Sequence, residues 1–286
     1  MKNCKNFNVA ISIIIIGIVS VLGFQNYQKY SQDKHFEQII SNLNNLEFDP
    51  ANEKIRKNFI SEIQNIYVTE NPEIDKNIKY VWVLSARHSY TKIPINSDAQ
   101  NIGAADKEDG YNRMRLGIEI AREVTAKKLD KQISSLTSEE LQKYRPIILF
   151  NGGAYDNSLL KEALDKNIIT DYPKENFYIF TLPEGQVNTG GQFKTLYKEH
   201  EHGNIDLSNA EIAIVTHAYH FPRVNRYFDN KPNFDFFFTH NTKPMIFLVD
   251  RKFEASGVDN ELKQELIKLP GYIEKGFVSE KLNANI

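Results

Sequence analysis

The chain changes character twice, near residue 25 and again near residue 77. Residues 9–24 (VAISIIIIGIVSVLGF) carry no charge. That run falls a little short of the ~20 residues a straight helix needs to cross a bilayer. Phe7 and Lys5 before it, and Tyr27 and Tyr30 after it, can extend its reach. Residues 25–76 are polar with helical periodicity. Asp49-Pro50 is a helix-start signal, a side-chain cap followed by proline. Ile55, Phe59, Ile63 and Ile66 then recur at helical spacing, as one apolar stripe. That stripe suits a helix packed on the domain it precedes.

From residue 77 short apolar runs alternate with helical stretches. Tyr80–Leu84, Ile147–Phe150, Phe177–Phe180 and Ile212–Val215 read as buried strands, and Phe234–Phe238 and Met245–Val249 as later ones. Tyr111–Leu129, Leu159–Ile169, Gln192–His200, Phe221–Phe228 and Glu261–Leu269 read as helices. Residues 127–144 look like a polar, helix-rich insertion. Continuous apolar strands alternating with helices predict an α/β fold, a Rossmann-like parallel sheet covered by helices on both faces. The expected organisation is a tail at 1–8, a transmembrane helix at 9–24, a helical juxtamembrane segment at 25–76 and one α/β domain at 77–280.

Composition changes this picture in three places. A net charge of −2 gives no reason to expect a nucleic-acid partner. Mean hydropathy is −0.47, so the apolar run at 9–24 is a local feature that the average hides. It is a retained membrane anchor, a cleaved signal or a buried core helix. Val21-Leu22-Gly23 is a poor cleavage pattern, which favours the anchor. Lys2 and Lys5 lead the run, while Lys29 and Lys34 follow with Asp33 between them, which leans the chain towards N-terminus in and main domain out. The single cysteine, Cys4, precedes the run, so an exported domain would hold no thiol.

Ligands of open α/β sheets bind beyond the carboxyl ends of the strands. Ser85, Arg87 and His88 follow the first apolar run, and Asn151, Gly152 and Gly153 the second. Glu184, then Asn188 and Thr189, follow the third, and Thr216, His217, Tyr219, His220 and Arg223 the fourth. Gly152-Gly153 lets backbone approach a ligand, or is a plain structural turn. Asn188-Thr189 is a helix cap or a ligand contact at a helix start. His220 suits acid/base or hydrogen-bonding work, or is a satisfied structural histidine. Arg223 could pair with an anionic ligand group, or with Glu184 or an aspartate. His217 and His220 lack carboxylate or cysteine partners at ligand spacing, so no metal centre is expected. The chain has no G-x-S-x-G, H-E-x-x-H, G-x-G-x-x-G or Walker motif. It is rich in asparagine beside lysine and isoleucine, so a lone asparagine carries no weight as site evidence.

These residues fall in a recognisable order. A strand at Tyr80–Ser85 is followed by Arg113 to Gly117, Phe150–Gly153 and Glu162-Ala163. Glu184 to Asn188-Thr189 comes next, then Val215-Thr216, Tyr219-His220 and Arg223. From about Lys79 to Ser279 the chain resembles the YdcF-like family. It departs in having Ser85 where the family usually has glycine, and Gly190-Gly191-Gln192 after Asn-Thr where the family continues x-Glu-Asn. The resemblance implies a Rossmann-like domain, commonly tethered by one N-terminal transmembrane helix and linked to bacterial envelope integrity and cell-wall precursors. It implies a phosphate-bearing or nucleotide-like ligand, such as an anionic small molecule or lipid-linked precursor. No reaction or cofactor follows from it. In that reading Gly152 and Gly153 offer backbone donors, and Ser85, Asn188, Thr189, Thr216 and His217 contact the ligand. Arg113 and Arg223 supply positive charge. Glu184 and His220 form the acid/base pair of a hydrolase or transferase, if there is turnover. The alternatives are a non-catalytic nucleotide or S-adenosylmethionine-type binder and a structural, partner-binding membrane protein.

Overall fold

The structure is a computed structural model describing residues 27–85, 105–144, 146–169 and 171–280. The anchor expected at 9–24 lies outside the described residues, as do Arg87 and His88. Among the described residues no helix is long and apolar enough to cross a membrane. The chain divides into two compact units, Met1–Glu47 and Phe48–Ile286. In the first, residues 27–44 are helical.

The second unit opens as the sequence suggests. The Asp49 carboxylate accepts from the Ala51 amide at 2.9 Å, and Pro50 begins a single 3-10 turn. That turn leads into α1 (Glu53–Val68), which buries Phe59, Ile60, Ile63 and Ile66 on one stripe. Five strands follow: β1 (Ile78–Val83), β2 (Ile147–Phe150), β3 (Phe177–Ile179), β4 (Glu211–His217) and β5 (Lys243–Val249). They form one sheet in the order β3-β2-β1-β4-β5, with every neighbouring pair parallel. The helices are α2 (Ala105–Leu129), α3 (Ser138–Tyr144), α4 (Ala154–Asp165), α5 (Thr189–Glu201), α6 (Phe221–Asp229), α7 (Lys231–Thr239) and α8 (Val258–Glu274).

Strand side chains alternate between the two faces of the sheet. On one face Val81, Val83, Ile148, Phe150, Ala213 and Val215 are buried with Met114, Ala121 and Val124 of α2 and Leu160 and Ala163 of α4. On the other face Trp82 meets the Phe193 ring edge-on at 5.0 Å, and Phe193 continues to Phe228 at 4.8 Å. Gly117 sits where α2 crosses the sheet: a Cβ there would come within 2.6 Å of the Val83 side chain. Its absence lets α2 lie close to β1.

The structure corrects the sequence reading in two places. Phe234–Phe238 belongs to helix α7 and is not a strand. Pro232 in its first turn and the stacking of Phe234 on Phe238, one turn apart at 6.0 Å, outweigh the strand preference of phenylalanine. Strand β4 also runs past Val215, because Thr216 and His217 pair with Leu248 and Val249 of β5. These two residues are strand residues, not part of the loop beyond.

One buried ion pair joins the outer helices. The Glu62 carboxylate on α1 accepts from Nη1 of Arg226 on α6 at 2.7 Å, and from Nη2 as well. The side chains are 10% and 1% exposed. Arg226 Nη1 also donates to the Pro222 carbonyl at 2.6 Å. Burial raises the Glu62 carboxyl to about 7, against the lowering effect of Arg226 and with Asp229 adding to the rise.

Candidate functional site

Strand order reverses between β1 and β4. The chain builds outward from β1 to β3, then crosses back to β4 beside β1 and on to β5. A crevice at such a switch point, beyond the carboxyl ends of the strands, is where this architecture places ligands. Two side-chain networks meet there.

The first centres on Arg113. One helical turn before Gly117, it is brought to the end of β1 by the close packing of α2. Its Nη1 donates to the carbonyls of Leu84 and Ser85, both at 3.2 Å, and its Nε donates to His217 Nδ1 at 2.8 Å. A guanidinium does not give up its proton, so His217 Nδ1 must accept and the ring proton sits on Nε2. Arg113 is 2% exposed. Among the described residues no carboxylate pairs with it, and Nη2 has no hydrogen-bond partner.

The second network centres on His220, which ends a single 3-10 turn (Ala218–His220) just before α6. Its Nδ1 lies 2.9 Å from Thr216 Oγ1 and its Nε2 lies 3.3 Å from Thr189 Oγ1. Thr189 also accepts from Arg223 Nη1 at 3.1 Å. Arg223 is held in turn by Glu265 of α8 through two parallel bonds of 2.7 and 2.9 Å. A chain therefore runs Glu265–Arg223–Thr189–His220–Thr216. Desolvation, reinforced by Arg223, Arg113, His217 and Lys268, holds the His220 ring well below the usual histidine range. Desolvation and then Arg113 do the same to His217. Both rings are neutral at physiological pH. Among the described residues these two networks hold two guanidiniums, one carboxylate and two neutral imidazoles, a net positive set.

A third set of bonds fixes the framework. Trp82 Nε1 donates to Asn151 Oδ1 at 2.9 Å, and Asn151 Nδ2 donates to the Gln192 carbonyl at 2.7 Å. Gln192 Nε2 donates to Ser85 Oγ and to the Asn151 carbonyl. The loop after β1, the end of β2 and the first turn of α5 are thus tied together.

The structure gathers Ser85, Arg113, Thr189, Thr216, His217, His220 and Arg223 in hydrogen-bonded networks at the carboxyl ends of the strands. The remaining sequence-selected residues have other settings. The Gly152 amide donates to Asn157 Oδ1 at 2.9 Å, so that donor is used within the fold. Gly153 caps α4 without a side-chain bond. Asn188 caps α5, accepting from the Gly191 amide at 2.9 Å. Glu184 lies in an exposed turn and makes no hydrogen bond or ion pair among the described residues. The bonded partners of His220 are threonines. Among the described residues no three His, Cys, Asp or Glu side chains gather where a metal ion could be held.

Three contributors were not selected from sequence: Asn151, Gln192 and Glu265. Asn151 follows an apolar run, but in an asparagine-rich chain a single asparagine does not stand out. Gln192 stood only as a departure from the family pattern. Glu265 shares the buried stripe of α8 with Leu262, Leu266 and Leu269. An acid on an apolar helix face was a usable signal, since a buried carboxylate needs a cationic partner. No family model, curated protein or solved structure matches the chain.

Proposed function

We propose that this crevice binds an anionic, phosphate-bearing or nucleotide-like ligand, and that it binds it without titrating a histidine. The observation that carries the reading is Arg113, a buried guanidinium with no carboxylate partner among the described residues. A buried cation is costly to leave unpaired, and guanidinium geometry matches phosphate oxygens through paired N–H donors. Arg223 supports the same reading as a second cation, joined to Arg113 through the His217–His220 segment. The neutral imidazoles and the threonine hydroxyls offer hydrogen bonds that keep their protonation across physiological pH.

In the wider reading, which rests on the sequence, residues 9–24 anchor the chain in a bacterial cell membrane with the α/β unit on the outer side. The ligand is then a cell-wall or lipid-linked precursor. A topology reporter fused after Ile286 tests the sidedness, and a cytoplasmic signal refutes it.

The ligand test is a thermal-shift and calorimetric screen of the full chain against inorganic phosphate, nucleotides, nucleotide sugars and polyprenyl phosphates. At least one phosphate compound stabilises the wild type. Arg113→Gln weakens it by about 10- to 100-fold, the value of a charge-assisted hydrogen-bond pair, and Arg113→Lys falls between. Equal affinity in wild type and Arg113→Gln overturns the proposal, as does a screen with no stabilising phosphate.

A further inference from the structure

Helix α8 packs against the turn that carries His220. Two of its side chains reach Arg223. Glu265 accepts from that guanidinium with both oxygens, and the Tyr272 ring lies 5.2 Å from the guanidinium carbon. Residues three, four and seven apart share one helical face. Lys268 stands on that face between Glu265 and Tyr272. It is exposed, and it makes no hydrogen bond or ion pair among the described residues. Desolvation, then Arg223, Arg113, His217 and Lys268, keep the buried His220 ring neutral, so the charge of Lys268 is felt inside the fold.

The two sides of the His217–His220 segment thus carry cations of different kinds. Arg113 is fixed and buried, held by the carbonyls of Leu84 and Ser85 and by His217. Lys268 is an exposed ammonium on a flexible stem, on the α8 side. Arg223 adds no third charge, because Glu265 neutralises it. A single phosphate is matched by the inner guanidinium and leaves the outer ammonium to solvent. Two linked phosphates carry more charge than Arg113 balances, and the second has Lys268 to meet. We propose, on the reading that Arg113 binds a phosphate, that Lys268 holds a second anionic group and that the ligand is a diphosphate. Arg113 then binds monophosphates and diphosphates alike, and Lys268 selects between them. A nucleoside diphosphate and a polyprenyl diphosphate share this chemistry.

The probes are pyrophosphate and inorganic phosphate, titrated separately into the full chain and followed by calorimetry. Wild type binds pyrophosphate more tightly than phosphate. Lys268→Gln lowers pyrophosphate affinity by about 3- to 10-fold, between an exposed ion pair and a buried charge-assisted bond, and leaves phosphate unchanged. Lys268→Arg keeps the preference. Position 268 is exposed, so the fold tolerates both changes. Uridine diphosphate and farnesyl diphosphate, run in parallel, show which organic group the diphosphate carries, and each loses affinity in Lys268→Gln as pyrophosphate does. Wild-type affinity for pyrophosphate in Lys268→Gln overturns the proposal, as does an equal loss for both probes or a wild type that prefers phosphate. These outcomes leave Arg113 as the phosphate site so long as Arg113→Gln weakens both probes. Wild-type binding of both probes by Arg113→Gln removes the phosphate site itself, and the role of Lys268 with it. A wild type that binds neither probe and neither organic diphosphate overturns the proposal as well.

Discussion

Replacing Glu62 by glutamine tests whether burial or charge attraction governs the ion pair between α1 and α6. The carboxyl moves from an ordinary 4.5 to about 7 on folding, with desolvation the largest cause and Arg226 opposing it. A raised folded-state value means that the folded chain holds a proton the unfolded chain has released. The resulting stability is complete below about 4.5 and disappears as pH rises through about 7. Over that window it amounts to about 3 kcal/mol, at ~1.4 kcal/mol per pH unit. Glutamine cannot titrate and resembles the protonated acid in shape. The stability of wild type relative to Glu62→Gln therefore falls by about 3 kcal/mol between pH 4.5 and pH 7.5. Other titrating groups largely cancel in the difference. Urea unfolding of both proteins at matched pH gives it directly. A flat difference shows that Glu62 does not change its proton affinity on folding. A difference that grows with pH shows that attraction to Arg226 outweighs burial, and either outcome refutes the reasoning.

Three further perturbations probe the crevice and its frame. Gly191→Ala puts a Cβ about 1.9 Å from the Gln186 carbonyl oxygen, so backbone must move; the cost is about 1–3 kcal/mol, and an unchanged thermal melt contradicts it. Glu265→Gln leaves Arg223 buried without its carboxylate and destabilises the ligand-free chain by about 3–5 kcal/mol. In the same variant, affinity for a phosphate ligand rises, because a competing anion is gone; loss of affinity in a folded Glu265→Gln protein runs against the proposed anion site. His220 is held neutral, the opposite case to Glu62: its folded value lies below 6.5, so its contribution is present above about 6.5 and fades as pH falls. Wild type therefore loses stability faster than His220→Gln between pH 6.5 and 5, and parallel pH profiles from chemical denaturation would contradict that sign.

The sheet was legible because its strands are buried on both faces, and such strands appear in sequence as unbroken apolar runs. Tyr80–Leu84, Ile147–Phe150 and Ile212–Val215 each mark a real strand, out of register by a residue or two at most. The aromatic run at Phe234–Phe238 was misread because five residues are too few to separate periods of 2 and 3.6. The helix became evident only through Pro232 and the one-turn stacking of Phe234 on Phe238. The crevice was legible as a list of strand ends, but its pairings were not. Glu265 lies 42 positions from Arg223 in sequence, and no local rule joins them. The sequence offered Glu184 as the nearer acid. In the structure Glu184 lies in an exposed turn, whereas the apolar stripe of α8 carries Glu265 into the interior.

The chemistry of the crevice follows from how α2 is packed. A helix lies close to a sheet only where a side chain is missing at the crossing, and Gly117 supplies that gap over Val83. One turn earlier the same face delivers Arg113 to the carbonyls that end β1. Those carbonyls and the His217 Nδ1 satisfy three of its N–H donors but supply no negative charge. Arg223 reaches the same crevice from α6, yet Glu265 neutralises it with both oxygens. The two arginines are thus not equivalent. Arg223 and Glu265 form a braced pair that positions Thr189 and His220. Among the described residues, Arg113 is the one of the two left without a carboxylate. A carboxylate in its place of need would have made this a structural ion pair, as Glu62 makes of Arg226. On the proposed reading, it is the lack of a carboxylate beside Arg113 among the described residues, more than any motif in the chain, that makes this packed strand end a site for an anion.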